Sequence, residues 1–493
     1  MIRRVVFGAL VVTQSACATL GGGGVDGGSI RKTVDTPPFD QVHWGILAVD
    51  ARSGRVLFER NANRKFVPAS NQKVLVTATA LSLLGPEYRY RTDVWRTGRL
   101  DRETGTVEGD LVLSGSGDPT LIDSADDSIG ISMGTLAERL WSLGVRRVTG
   151  SVVVDATAWD STTVADTWEV ADLPWTYAAT GGAFAVDRGE LRLVVTGGET
   201  PGDTATFTWS PVGTVDYVSG VLLTGPADST ARVRASYLPE SRRLSFTGSV
   251  PAGTVDTLGF AVRDPVRQAA AVVVRRLEER GIQVEGGWRV EWEKGQPVGE
   301  SCRVGALALC PGAGVLAVLE SPPLSAIVAG ILKPSQNWMT EQLIHTLGWE
   351  LGDGGSWGEG IAVIREFLLR EVGVDSLDIL SRDGSGLSAY NLVTPRAMVR
   401  ILRYMDAGPH GEVYRSALAE PGRDGSTLRR RLTGLEGSVF AKTGTISNVN
   451  SLSGYLVRPD RREIIFSILT NGSGLPASEV RVAIDQVVEA LAR

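Results

Sequence analysis

From about residue 91 to residue 259 the chain differs in texture from what lies on either side, and any fold must accommodate that break. The stretch is rich in Val, Thr, Gly and Asp. It carries short β-like runs at Leu111–Leu113, Val152–Val154, Leu191–Val195 and Val233–Ala235, with one clear helix near Met133–Leu143, ending at Gly144. The flanks alternate strands with amphipathic helices. Before the break, Ile46–Asp50 and Arg55–Glu59 flank the turn Ala51–Gly54 as a hairpin, and Ser70 to Leu84 reads as a helix stopped by Gly85–Pro86. After it, Asp264–Pro265 opens a helix that Gly281 closes, and helices follow near Leu324–Leu332, Trp338–Leu347 and Gly360–Val372. Strand patterns return at Val439–Thr443, Leu452–Val457 and Glu463–Thr470, and Ser478 is expected to cap a last helix with Val480, Ile484, Val487, Val488 and Leu491 on one face. The pattern predicts one α/β (α+β) domain interrupted by a large β-rich insertion of two subdomains. Its expected parts are a first segment 40–90, an insertion 91–263 and a second segment 264–493.

Composition narrows the class. With 43% hydrophobic and 22% charged residues over 493 positions, the chain can form packed cores and is not globally disordered. A net charge of −6 lacks the basic footprint of a nucleic-acid binder. Met1–Arg4 is basic, Val5–Val12 is apolar, and Ala16–Cys17–Ala18 supplies small residues, which is the grammar of an export signal over residues 1–18 followed by a linker to residue 39. Cys17 before Gly21–Gly24 also fits a lipid-accepting cysteine and hence a membrane tether, although Gln14 stands where an aliphatic residue is usual. In an oxidising compartment Cys302 and Cys310 are expected to pair. Three cysteines give no set of four soft ligands for a structural zinc.

The three histidines, His43, His345 and His410, read as core or surface residues. The G-x-S-x-G match at Gly354–Ser356–Gly358 follows a helix, where a nucleophile elbow needs a strand, and is a chance match. Ser70 and Lys73 are a different case. Three apart at a helix start, they share one face, and the helix N-terminus favours a developing anion there. A desolvated lysine near another cation loses its proton readily and can take one from a hydroxyl. Alone, the pair is more often a helix cap beside a solvated lysine. Two later segments bear on the choice. Lys442–Thr443–Gly444–Thr445 reads as a strand on which Lys442 and Gly444 face one way and Thr443 the other; Gly444 removes bulk where a ligand backbone can approach, and the lysine and hydroxyls suit a carboxylate. Asp383–Asn391 combines a turn with Ser388 and Asn391.

S-x-x-K, a Ser/Asn loop and K-T-G, in that order, resemble the penicillin-binding proteins and serine β-lactamases. Pro68–Lys73, Gly115–Thr120, Ser321–Leu324, Asn337–Glu341, Asp383–Asn391, Asp424–Leu428 and Lys442–Gly444 resemble blocks of one branch, the D-alanyl-D-alanine carboxypeptidase/endopeptidase family of DacB-type low-molecular-mass penicillin-binding proteins. The likeness runs from about residue 40 to the C-terminus. It implies a transpeptidase-like domain, an antiparallel sheet flanked by helices. It implies Ser70 as nucleophile, Lys73 as base, Ser388 as proton relay, Asn391 as an orienting group, Lys442 with Thr443 or Thr445 on the substrate carboxylate, Gly444 as a further substrate-binding residue, and backbone N–H groups of Ser70 and Thr445 as the oxyanion hole. The middle motif departs from the usual S-x-N, since Ser388 and Asn391 stand three apart. Tyr177–Thr180 departs from a Tyr-Ala-Pro-like turn of the insertion. The implied substrates are peptidoglycan stem peptides, with β-lactams as covalent inhibitors, an envelope location, and no metal or organic cofactor. The rival readings are a β-lactamase or esterase on the same fold and a non-catalytic peptidoglycan-binding envelope protein.

Overall fold

The computed structural model describes residues 25–123, 130–210, 218–238, 243–298 and 302–493. The expected export signal at 1–18, with Cys17, lies outside them. The two chain segments that flank the break in texture build one antiparallel sheet of five strands, in the order Val56–Arg60, His43–Asp50, Glu463–Asn471, Val449–Val457, Val439–Ile446. Strand Glu463–Asn471 shows why it sits in the middle. Its near-continuous apolar run has two buried faces, and successive side chains alternate between them. Ile464, Phe466 and Ile468 enter a core with Val480, Ile484, Val487 and Leu491 of the C-terminal helix Ala477–Ala492. Ile465 and Leu469 enter the opposite core with Val74 and Leu75 of helix Gln72–Leu84 and Met398 and Leu402 of helix Pro395–Ala407.

Several local expectations are corrected. Part of the expected linker, Gly27–Val34, is a helix whose first turn is capped by the Asp26 carboxylate and whose Ile30 and Val34 pack against the C-terminal helix. Ser478 is not a cap; that helix starts after Pro476, without a side-chain cap. Cys302 and Cys310 are free thiols. They pack in the same small apolar cluster, with each sulfur turned to a backbone carbonyl, Thr97 O at 3.7 Å and Ala306 O at 3.5 Å.

The inserted region does not end at residue 263. Gly314–Glu320 pairs antiparallel with Arg91–Arg96, the strand that begins the insertion, and Trp288–Glu291 pairs with Val152–Asp155. Both belong to a five-stranded sheet, backed by helices Met133–Ser142 and Pro265–Arg280, whose apolar faces form a second core. Helix Pro265–Arg280 starts and stops where its sequence says it should, with the Asp264 carboxylate accepting from Arg267 N–H and Gly281 in the left-handed conformation at φ 95°. Two three-stranded sheets, centred on Glu190–Thr196 and Arg243–Pro251, share a smaller core around Phe246 and Phe260.

The insertion also returns to the main domain. Trp338 Nε1 donates to Thr180 O at 2.9 Å, Gly182 N donates to Gln342 Oε1 at 3.1 Å, and Trp168 Nε1 donates to Asp383 Oδ2 at 2.9 Å. One wall of the cleft beside helix Gln72–Leu84 is therefore made of inserted chain.

Candidate active site

Ser70 lies in a short 3₁₀ turn, Ala69–Asn71, that leads into helix Gln72–Leu84. The turn is held against the sheet edge. Asn71 Nδ2 donates to Lys442 O at 3.0 Å and to Ser451 Oγ at 2.7 Å, and Ser451 Oγ donates to Pro68 O at 2.7 Å. Ala69, one residue before the serine, has φ 47°, a left-handed conformation that a residue with a Cβ tolerates only when its surroundings enforce it. Gly444 is part of that enforcement. A Cβ there would stand 2.2 Å from Ser451 Oγ and 2.9 Å from both Pro68 O and Ser70 N. The sequence assigns this glycine to the approach of a ligand backbone; in the fold it admits the protein's own serine turn.

Lys73 is fully buried and its ammonium nitrogen has three neighbours: Ser70 Oγ at 3.0 Å, Asn337 Oδ1 at 2.7 Å and Ser385 O at 2.6 Å. Two of these can only accept a hydrogen bond, whereas the hydroxyl can also donate. A neutral amine has two N–H groups and one lone pair, so this environment satisfies it completely, with Ser70 O–H pointing at the lone pair. Burial in fact lowers the lysine to about 7, against the opposing pull of the Glu341 and Asp383 carboxylates. Lys442, also fully buried, is lowered well below its usual range, first by burial and then by the charge of Lys73. It donates to Ser335 Oγ and to Thr443 O at 2.7 and 2.8 Å. Strand alternation holds as expected: Lys442 and Gly444 face the serine turn, and Thr443 Oγ1 donates to Thr427 Oγ1 at 2.8 Å. Thr445 is exposed and donates to Gly444 O.

The structure therefore gathers Ser70, Lys73, Lys442, Thr443, Gly444 and Thr445. It does not bring in Ser388 or Asn391. Asn391 makes four hydrogen bonds within its own loop: Oδ1 accepts from Arg382 and Asp383 N–H, and Nδ2 donates to Asp383 Oδ1 and Ser388 O. Ser388 N donates to Asp383 Oδ2, and its hydroxyl accepts from Tyr390 N–H at 3.2 Å. The serine and asparagine that reach the two lysines are Ser335 and Asn337. Ser335 lies in the break between helices Leu324–Leu332 and Asn337–Leu351, where it takes φ 67°, and Asn337 is the first residue of the second helix. The readable signal was their spacing of two, S-x-N, at a helix start. Asn337 Nδ2 is fixed from the other side, donating to Tyr177 O of the insertion at 2.6 Å.

The loop 383–391 still contributes, through backbone alone. Glu341 accepts from Gly384 N at 3.0 Å, Ser385 N at 2.7 Å and Trp357 Nε1 at 2.8 Å, which aims the Ser385 carbonyl at Lys73. Burial, then the neighbouring Asp383 charge, raises Glu341 to about 7. Ser356 caps helix Trp357–Arg370, as a chance G-x-S-x-G match should. His345 is buried between the rings of Trp159 and Trp357.

Residues 28–493 match the model of the D-Ala-D-Ala carboxypeptidase 3 (S13) family. The chain belongs to that family. A D-alanyl-D-alanine carboxypeptidase of Actinomadura sp. (strain R39) is 31% identical over 465 residues, covering 91% of this chain and 81% of the relative. Penicillin-binding protein 4 (DacB) of Haemophilus influenzae has the same fold, with TM-score 0.79 at 21% identity over 94% of this chain and 99% of that one. Its complex with a novel β-lactam superposes with TM-score 0.73 at 20% identity, over 94% and 98% of the two chains. The S13 chain described here is thus a hydrolase of the D-Ala-D-Ala carboxypeptidase class, a penicillin-binding protein in its fold.

Proposed function

We propose that the protein is a serine-type D-Ala-D-Ala peptidase of peptidoglycan stem peptides, working through an acyl-enzyme on Ser70. The observation that carries the reading is the buried Lys73 amine, 3.0 Å from Ser70 Oγ and satisfied as a neutral base. Lys73 takes the Ser70 proton as Oγ attacks the carbonyl of the penultimate D-alanine. The oxyanion forms against the backbone N–H groups of Ser70 and Thr445; one such donor typically contributes roughly 2.7–4 kcal/mol. The C–N bond breaks as the proton passes to the leaving amine through Ser335, which Lys442 holds. Asn337 orients Lys73, and Lys442, Thr443 and Thr445 receive the terminal carboxylate. Water, deprotonated by Lys73, then attacks the ester and restores Ser70. No residue in this sequence of steps needs a metal or cofactor as partner.

A β-lactam presents a strained amide in the same place, and the family relative seen with a β-lactam supports its use as a covalent inhibitor here. The substrate lies outside the cytoplasmic membrane, so the basic, apolar and small-residue segment 1–18 supports an exported enzyme, with Cys17 as the candidate tether. Among the described residues no helix is long and apolar enough to cross a membrane.

The test is Ser70→Ala. Release of D-alanine from a peptide ending in D-Ala-D-Ala and covalent labelling by a fluorescent penicillin should both vanish. Labelling at the wild-type level in that variant would refute the assignment of Ser70.

A further inference from the structure

A groove of about 470 Å³ opens between the turn that carries Thr427 and the first turns of helix Ala477–Ala492. Four arginines line it, Arg429, Arg430, Arg431 and Arg481, against a single carboxylate, Asp485. Arg431 is neutralised by Asp485 through two bonds, at 3.1 and 2.6 Å, and Arg429 pairs with the exposed Asp424. Among the described residues Arg430 and Arg481 have no acidic partner, although the whole chain carries a net charge of −6.

The groove joins the active site through Thr427, one of its lining residues. Thr427 Oγ1 accepts from Thr443 Oγ1 at 2.8 Å, and Thr427 N donates to Lys333 O, two residues before Ser335, at 3.1 Å. The positive surface therefore begins where the substrate's terminal carboxylate is held and continues outward on the leaving-group side.

We infer that this groove binds the leaving half of a cross-linked substrate, a second stem peptide with its own carboxylates. The inference rests on the peptidase reading above and deepens it. Free D-alanine carries one carboxylate, which Lys442 and Thr443 already serve, and it is too short to extend past Thr427. When the scissile amide is a cross-link, the leaving amine belongs to a whole acidic peptide. Two unpaired guanidiniums beside its exit path attract it and hold it through charge-assisted hydrogen bonds. Hydrolysis of the cross-link is the same reaction: the amide C–N bond breaks, the acyl group passes to Ser70 and then to water, and the second stem leaves as a free amine.

The test compares two substrates, a purified D-alanyl-cross-linked muropeptide dimer and an uncharged-side-chain peptide ending in D-Ala-D-Ala, on the wild type and on the double variant Arg430→Gln/Arg481→Gln. The double variant should lose about tenfold in kcat/KM on the dimer and stay within about twofold on the small peptide and in penicillin acylation, a loss of about 1.4 kcal/mol. Amidating the carboxylates of the leaving stem other than the one beside the scissile amide, which Lys442 and Thr443 hold, should slow the wild type by a similar factor and leave the double variant unchanged. Equal activity of both proteins on the dimer, equal losses on both substrates, or an amidation effect that survives in the double variant would overturn the groove assignment. A wild type that neither releases D-alanine nor reacts with penicillin would instead overturn the peptidase reading itself.

Discussion

Two segments that contact Lys73 each carry a serine and an asparagine, and they use them in opposite ways. Ser335, in a break between helices, and Asn337, at the start of the second helix, direct their side chains outward, to Lys442 and Lys73 respectively. Ser388 and Asn391 lie in a loop that turns both side chains inward, to its own backbone and to Asp383. The loop's contribution to the base is a peptide carbonyl, Ser385 O. Residue type and proximity therefore do not identify a catalytic group. What separates the two segments is where their hydrogen-bonding capacity goes: one pair is available to the cleft, and the other is used up in holding a turn.

The sharpest way to break this comparison is Ser335→Ala. If its hydroxyl carries the proton to the leaving group, acylation by penicillin and D-alanine release should fall by roughly 10²–10⁴, the usual range for losing a proton-transfer group. The fold should be unaffected, since Ser335 is half-buried in a helix break. Stopped-flow acylation rates would decide it. A loss below fivefold would return Ser335 to the status of a spacer.

Glu341→Gln tests whether the loop acts only through its backbone. The carboxylate accepts three N–H bonds, and an amide has only one oxygen to offer them. The Ser385 carbonyl should lose its aim at Lys73, and the plateau rate should fall by about tenfold, as when an orienting contact to a reacting group is loosened. The pH profile adds a sign. Acylation needs neutral Lys73, so in the wild type it should rise with pH through about 7 and level off above. The negative charge of Glu341 favours protonated Lys73; removing it lowers the lysine further and moves that acid limb to lower pH. A limb that stayed in place, or moved up, would contradict the coupling of Glu341 to Lys73.

The same contrast explains what the sequence could and could not disclose. Ser70 and Lys73 are local partners three residues apart, and Lys442 to Thr445 is a local strand, so both were legible. Asp264–Pro265 and Gly281 bracket a helix by local chemistry and were legible too. Thr394–Pro395 carries the same kind of local signal, and Thr394 caps helix Pro395–Ala407. The extent of the insertion was not legible, because the pairing of Gly314–Glu320 with Arg91–Arg96 spans more than two hundred residues and no local pattern encodes a partner that remote. The sequence points to Ser388, and not to Ser335, because Asp383–Asn391 looks like a binding turn. Whether a turn's polar groups face outward depends on Asp383 and Glu341, and that is a property of packing.

Asn391→Ala tests the inward-facing half. Its removal strips the partner from Arg382 N–H and from the buried Asp383 N–H at once, while Ser388 O keeps the backbone N–H of residue 391. Leaving buried groups unsatisfied costs about 1–3 kcal/mol, so thermal and denaturant stability should fall measurably. Activity of the folded fraction should drop only a few-fold, through the Ser385 carbonyl. An orienting residue in the cleft would show the reverse, unchanged stability with a collapse of kcat.

The smallest expected effect belongs to Ser388→Ala. The hydroxyl accepts one bond, from Tyr390 N–H at 3.2 Å, and its backbone N–H, which the substitution keeps, makes the stronger contact to Asp383 at 2.6 Å. Losing that one neutral bond should change stability by about 0.5–1.5 kcal/mol. Acylation should stay within about twofold, because the hydroxyl touches neither lysine and the proton path through Ser335 is untouched. Measured beside Ser335→Ala on the same penicillin, the pair should differ by two orders of magnitude or more. If Ser388→Ala were instead the crippled variant and Ser335→Ala the healthy one, the relay would belong to the turn, and the loop would have to reopen by redirecting Ser388 toward Lys73 before each turnover.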